Sequence, residues 1–178
     1  EKQAAVDAEI AAVGKGLRVV DVKAGSAASG EDGRPLSFES IPEADTLYEE
    51  AEALRRSPNL FKRKENLRKA LDTYQKILLK HPTSDKADDA AYRMGETYAS
   101  PFFANYEKAV EFYKKCVVWN PKTDYDARWL VAETAEFQLK DEALAIEWYR
   151  KAVESDPVME NRDAARRRLA KLQPDGKK

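Results

Sequence analysis

Ala109-Val110-Glu111-Phe112-Tyr113-Lys114-Lys115-Cys116-Val117-Val118-Trp119-Asn120-Pro121 decides the fold of this chain, because its spacing occurs three times. An Ala is followed by a Tyr four residues on, a small or aliphatic residue three further and a Pro five beyond that. The other copies are Ala70-Tyr74-Ile77-Pro82 and Ala145-Tyr149-Ala152-Pro157. Ordinary residue usage would supply on the order of a few hundredths of one such Ala/Tyr/Pro match in a chain of this size. Offsets of four and seven place the Ala, the Tyr and the third residue on one helix face, and the Pro ends the helix after its last turn. Successive copies lie 39 and 36 residues apart, a period that belongs to stacked supersecondary units.

Working outward, each motif helix needs a partner, and the residues before it supply one. Ala91, Met94, Gly95 and Tyr98 form one stripe, with Gly95 expected to let the partner helix approach closely. Leu47, Ala51 and Leu54 occupy equivalent places in the first copy, and Val131, Ala132 and Ala135 do so in the third. The pattern predicts helices over 43–57, 65–81, 85–99, 105–119, 124–138, 141–155 and 160–172: three hairpins and a terminal cap. Ser40 and Glu43 have the spacing of a capping box, and Pro42 suits a first helical turn. Two internal turns are lengthened, by Ser57–Lys64 and by Ser100–Ala104.

Gly95, Tyr98, Ala109, Tyr113 and Pro121 together resemble the tetratricopeptide repeat pattern over about residues 43–172. The resemblance implies an all-α, right-handed superhelix of about three helix hairpins plus a C-terminal capping helix. It also implies a protein partner held on a concave surface lined by the first helix of each hairpin. The phrases Tyr74–Ser84 and Ala87–Glu96 are similar to repeats of bacterial envelope proteins, of the outer-membrane assembly lipoprotein and Tol-Pal-associated periplasmic types. That likeness implies a periplasmic or cell-envelope location, with a cytoplasmic adaptor or assembly chaperone as the alternative. An accessory binding domain of a larger enzyme is a third reading.

Composition narrows the function classes. The chain has 178 residues, 43% hydrophobic, and its 31 Lys and Arg nearly balance 32 Asp and Glu. No global field draws in nucleic acid or an anionic membrane, so either would need a local patch. No apolar run is long enough to span a bilayer, so direct membrane insertion is not expected. A lone cysteine, Cys116, excludes an internal disulfide and a cysteine metal cluster, and it takes a buried packing slot. His81 precedes Pro82 with no evident catalytic partner. No catalytic residue, metal site or cofactor is expected.

Residues 1–41 read as an N-terminal extension and linker, 42–173 as the repeat domain and 174–178 as a tail. Within the extension, Gln3–Val13 suits a short helix, Arg18–Val22 an extended segment and the glycine-rich 24–35 stretch a flexible link. A chain beginning at Glu1 rather than Met is expected to have lost residues upstream.

Beside the packing stripe, one chemical triplet recurs at i, i+3 and i+7: Asp45-Tyr48-Glu52, Asp89-Tyr92-Glu96 and Asp126-Trp129-Glu133. Two carboxylates per triplet predict an exposed stripe. One reading packs the aromatics between adjacent repeats and leaves the acids in water. The other makes them a groove for an extended or helical protein segment carrying basic and apolar side chains. Phe102 and Phe103 are either tucked onto the neighbouring hairpin or form a second contact patch, and Arg166-Arg167-Arg168 reads as a solvated face.

Overall fold

The computed structural model describes residues 39–173, so the expectations for the glycine-rich stretch, for the segments before it and for the 174–178 tail lie outside the described residues. The first hairpin pairs α1 (Pro42–Arg56) with α2 (Arg63–Lys80), and the second pairs α3 (Ala87–Ala99) with α4 (Tyr106–Trp119). In the third, α5 (Ala127–Thr134) runs on as a π-helical turn (Ala135–Leu139) before α6 (Glu142–Ser155), and α7 (Met159–Leu172) packs on α6. Every expected helix is present, with ends within three residues of those predicted when α5 is counted through its π-helical turn. Among the described residues there is no strand, only an isolated bridge between Glu39 and Ser84.

All nine motif side chains are buried: Ala70, Tyr74, Ile77, Ala109, Tyr113, Cys116, Ala145, Tyr149 and Ala152. They meet small residues of the first helices, among them Ala51, Ala91, Ala132 and Ala135. Gly95 makes a close contact of this kind. A Cβ placed there would lie 2.5 Å from the Tyr113 ring, so the tyrosine rests directly on the α3 backbone.

The helix ends follow local chemistry, with one departure. Asn105 and Asp141 accept hydrogen bonds from the backbone N–H groups of Lys108 (3.1 Å) and Leu144 (3.0 Å), capping α4 and α6. The expected Ser40–Glu43 capping box does not form. Glu39 is bound to the α2–α3 turn through its own N–H and C=O, to Thr83 and Asp85, which keeps the approach to the helix extended. Ile41 therefore takes the N-cap place, and the Ser40 hydroxyl donates instead to Asp45, at 3.2 Å.

Candidate interaction groove

The three triplets lie on α1, on α3 and along α5 from its N-cap Asp126, and each hairpin treats its aromatic in the same way. Tyr48 tilts against Tyr74, Tyr92 against Tyr113 and Trp129 against Tyr149, with ring centroids 5.8, 5.7 and 5.4 Å apart. The motif tyrosine of each second helix thus supports the triplet aromatic of its own hairpin. These contacts are within hairpins, and Tyr92 packs between adjacent repeats as well, on Tyr125.

The expectation of an exposed stripe needs correcting, since none of the nine triplet residues is exposed. Glu52 and Tyr92 are buried, at 7% and 8% exposure, while Asp45, Tyr48, Asp89, Glu96, Asp126, Trp129 and Glu133 are half-buried. Glu52 is tolerated because it is surrounded by donors. It accepts hydrogen bonds from Arg55 (2.6 Å) and from the Tyr74 hydroxyl, and Arg56 (2.7 Å) and Arg93 (3.7 Å) add positive charge. Burial alone would raise its pKa. The hydrogen bonds from Arg55 and Tyr74, with the charges of Arg55 and Arg93, overcome that and bring it down to about 2.

Arg93 joins the first two hairpins. Its guanidinium pairs with Glu96 at 2.8 Å, donates to the Tyr48 hydroxyl at 3.5 Å and lies over the rings of Tyr92 and Tyr125. Arg55 reaches Glu96 at 3.8 Å from the other side. Glu52 and Glu96 are accordingly neutralised within the fold. Asp45 is met by Lys86 at 3.6 Å.

The other half of the surface is different. Tyr92 stacks on Tyr125 at 4.1 Å, and its hydroxyl donates to Asp126 at 2.7 Å, which ties α3 to the foot of α5. The Tyr125 hydroxyl interacts with Asp89. The α4–α5 turn that carries Tyr125 is held by buried Thr123, whose hydroxyl accepts the Tyr125 N–H at 3.3 Å. Among the described residues, no Lys or Arg comes within ion-pair distance of Asp89, Asp126 or Glu133. Burial, and then the neighbouring charge of Asp126, raise the Glu133 pKa, with only Trp129 as a hydrogen-bonding offset. Aromatic side chains and carboxylates without an ion-pair partner therefore occur together at Asp89, Tyr125, Asp126, Trp129 and Glu133, with Asp89 in the field of Lys86.

Sequence reasoning missed Arg55, Arg93 and Tyr125. The arginines had a signal: Arg55 is three residues after Glu52, and Arg93 is four after Asp89 and three before Glu96, spacings that bring charges together on a helix. Tyr125 had none, because it sits in a turn without periodicity. Only Phe102 follows one of its alternatives, exposure, because Phe103 is tucked onto its own hairpin rather than the neighbouring one. Phe103 packs edge-on to Tyr98, at 6.1 Å, while Phe102 is exposed. Arg168 is not merely solvated, since it pairs with Glu136, donating to it at 2.9 Å, and covers the Phe137 ring. Cys116 is buried beside Thr123, and burial pushes its thiol up to about 12, which makes it unreactive.

The tetratricopeptide repeat family model matches residues 102–123 and 125–158, which take in α4, α5 and α6. No curated protein matches the sequence. Among solved structures, the Sgt2 tetratricopeptide repeat domain from Aspergillus fumigatus is similar in fold. Its TM-score is 0.51 at 22% identity, over 80% of this chain and 88% of that one. No helix among the described residues is long and apolar enough to cross a membrane. The hairpins, the matched segments and the shared fold together give this chain a tetratricopeptide-repeat-like fold.

Proposed function

We propose that residues 42–173 form a non-enzymatic protein-binding module whose groove takes a partner segment bearing Lys or Arg beside apolar side chains. One observation carries this reading: among the described residues, half-buried Asp126 and Glu133 have no ion-pair partner, while Trp129 lies between them in sequence on the same helix and Tyr125 precedes it. A partner's ammonium or guanidinium group would relieve the repulsion between Asp126 and Glu133, and its apolar neighbours would cover the rings. Tyr48, Glu52 and Glu96 contribute by holding α1 and α3 in register. For location, the phrasing of Tyr74–Ser84 and Ala87–Glu96 supports a bacterial envelope assembly, with a cytoplasmic adaptor as the alternative; fractionation of the native protein decides between them.

A panel of synthetic peptides tests the groove, with basic-apolar sequences set against versions carrying Glu for Lys and Arg. Basic peptides are expected to bind, more weakly at high salt, and Trp129→Ala with Glu133→Gln should lower affinity about tenfold or more. Tyr92 is the wrong residue to remove, because it is buried and bonds to Asp126. Equal binding of the acidic panel, or an unchanged affinity in a folded double variant, would overturn the reading. The raised pKa of Glu133 adds a pH dependence. A cationic peptide prefers the ionised carboxylate, so affinity should begin to fall at a higher pH than an ordinary glutamate would give.

A further inference from the structure

The turn inside the first hairpin carries a feature that neither the helical stack nor the groove uses. Leu60 is 80% exposed and Phe61 is fully exposed, and neither belongs to the hydrophobic core. They stand side by side in a short 3-10 turn, Leu60–Lys62, between α1 and α2. The turn is built to hold them outward. Asn59 accepts the Lys62 N–H through its side chain at 3.2 Å, and Pro58 stiffens the approach. Arg63 binds back to the carbonyl oxygens of Arg55 and Ser57, the latter at 3.1 Å, fastening the start of α2 to the end of α1.

Around this apolar tip the charge is one-sided. Residues 55–69 contain seven Lys and Arg and a single acid, Glu65, in a chain whose net charge is −1. Arg56, Lys62, Lys64, Arg68 and Lys69 are exposed, and Glu65 is taken up by Lys69 at 2.7 Å. A pair of bare apolar side chains ringed by cations matches the chemistry of an anionic bilayer surface. Apolar groups enter the boundary between headgroups and acyl chains there, while Lys and Arg stay at the phosphate level.

We infer that the Leu60–Phe61 turn seats this protein peripherally on an anionic lipid surface, with Lys62, Lys64 and Arg68 contacting the headgroups. A nucleic-acid strand fits less well, since only Phe61 offers a stacking face and Leu60 beside it offers none. An acidic protein pocket would take the same side chains, and it is kept as an outcome of the test. The seat leaves the helices in water and places no segment across the membrane.

The test is co-sedimentation of the full chain with vesicles of phosphatidylcholine alone and of phosphatidylcholine with about 30 mol% phosphatidylserine. Binding is expected to the second kind only and should weaken as salt is raised. Leu60→Ser with Phe61→Ser should lower partitioning at least about tenfold, as should Lys62→Glu with Lys64→Glu. All four side chains are exposed, so an unchanged melting temperature confirms that the variants are folded. Failure to bind anionic vesicles overturns the inference, as does binding that the Leu60/Phe61 variant leaves intact. If vesicles are ignored while the same variant abolishes capture of a protein partner, the turn serves a protein pocket and the lipid assignment is wrong.

Discussion

Glu52 is a buried carboxylate that remains ionised because three arginines and a tyrosine hydroxyl converge on it. Glu52→Gln would leave those donors around a neutral group and is expected to cost about 2–4 kcal/mol in chemical denaturation. Because the folded pKa is depressed to about 2, the stabilisation is complete above the ordinary value of 4.5 and is lost as pH falls between them. The wild-type protein should therefore lose more stability than the variant over that acid window, and denaturation curves at several pH values read the difference. At Gly95, even Ala should cost about 1–3 kcal/mol, since its methyl group would meet the Tyr113 ring at 2.5 Å. A thermal melt checks it. The small residue opposite a tyrosine was visible in the sequence because its helical spacing recurs. The ionisation of Glu52 was legible only in part: Arg55 stands at helical spacing, but Arg93 comes from another hairpin and Tyr74 from another helix.

At the scale of elements, helix positions were legible because each hairpin repeats one apolar spacing and Pro or a capping Asn or Asp marks its limits. What escaped was backbone detail set by tertiary contacts. Glu39 pairing with the α2–α3 turn moved the N-cap to Ile41 and left the capping box unformed, and α5 closes through a π-helical turn that no residue pattern announced. That turn ends at Lys140, an exposed residue with φ of 58°, in the left-handed region that costs a side chain about 1 kcal/mol. Lys140→Gly is expected to raise stability by about 0.5–1 kcal/mol, measured by the shift in denaturation midpoint. The triplets, too, were legible as a repeat. Their split into a neutralised half and an uncompensated half was not, because the neutralising charges come from residues outside the triplets.

For the whole molecule, stacked repeats derive stability from each unit and from its neighbours, so an end must be covered. Here α7 covers α6 with buried Ala165 and half-buried Leu169 and Leu172. Truncation after Ser155 should expose that seam, lowering the melting temperature and promoting self-association, which light scattering would detect. The Tyr92–Asp126 hydrogen bond and the Tyr92–Tyr125 stack give the stack a further property. The second and third hairpins cannot part without breaking both contacts at once, so opening at this junction is a joint event. Amide protons of α3 and of the first turns of α5 should then share one exchange rate, and a bound partner at this junction should slow both together. A ligand touching a few side chains would thus be felt as rigidity across two hairpins.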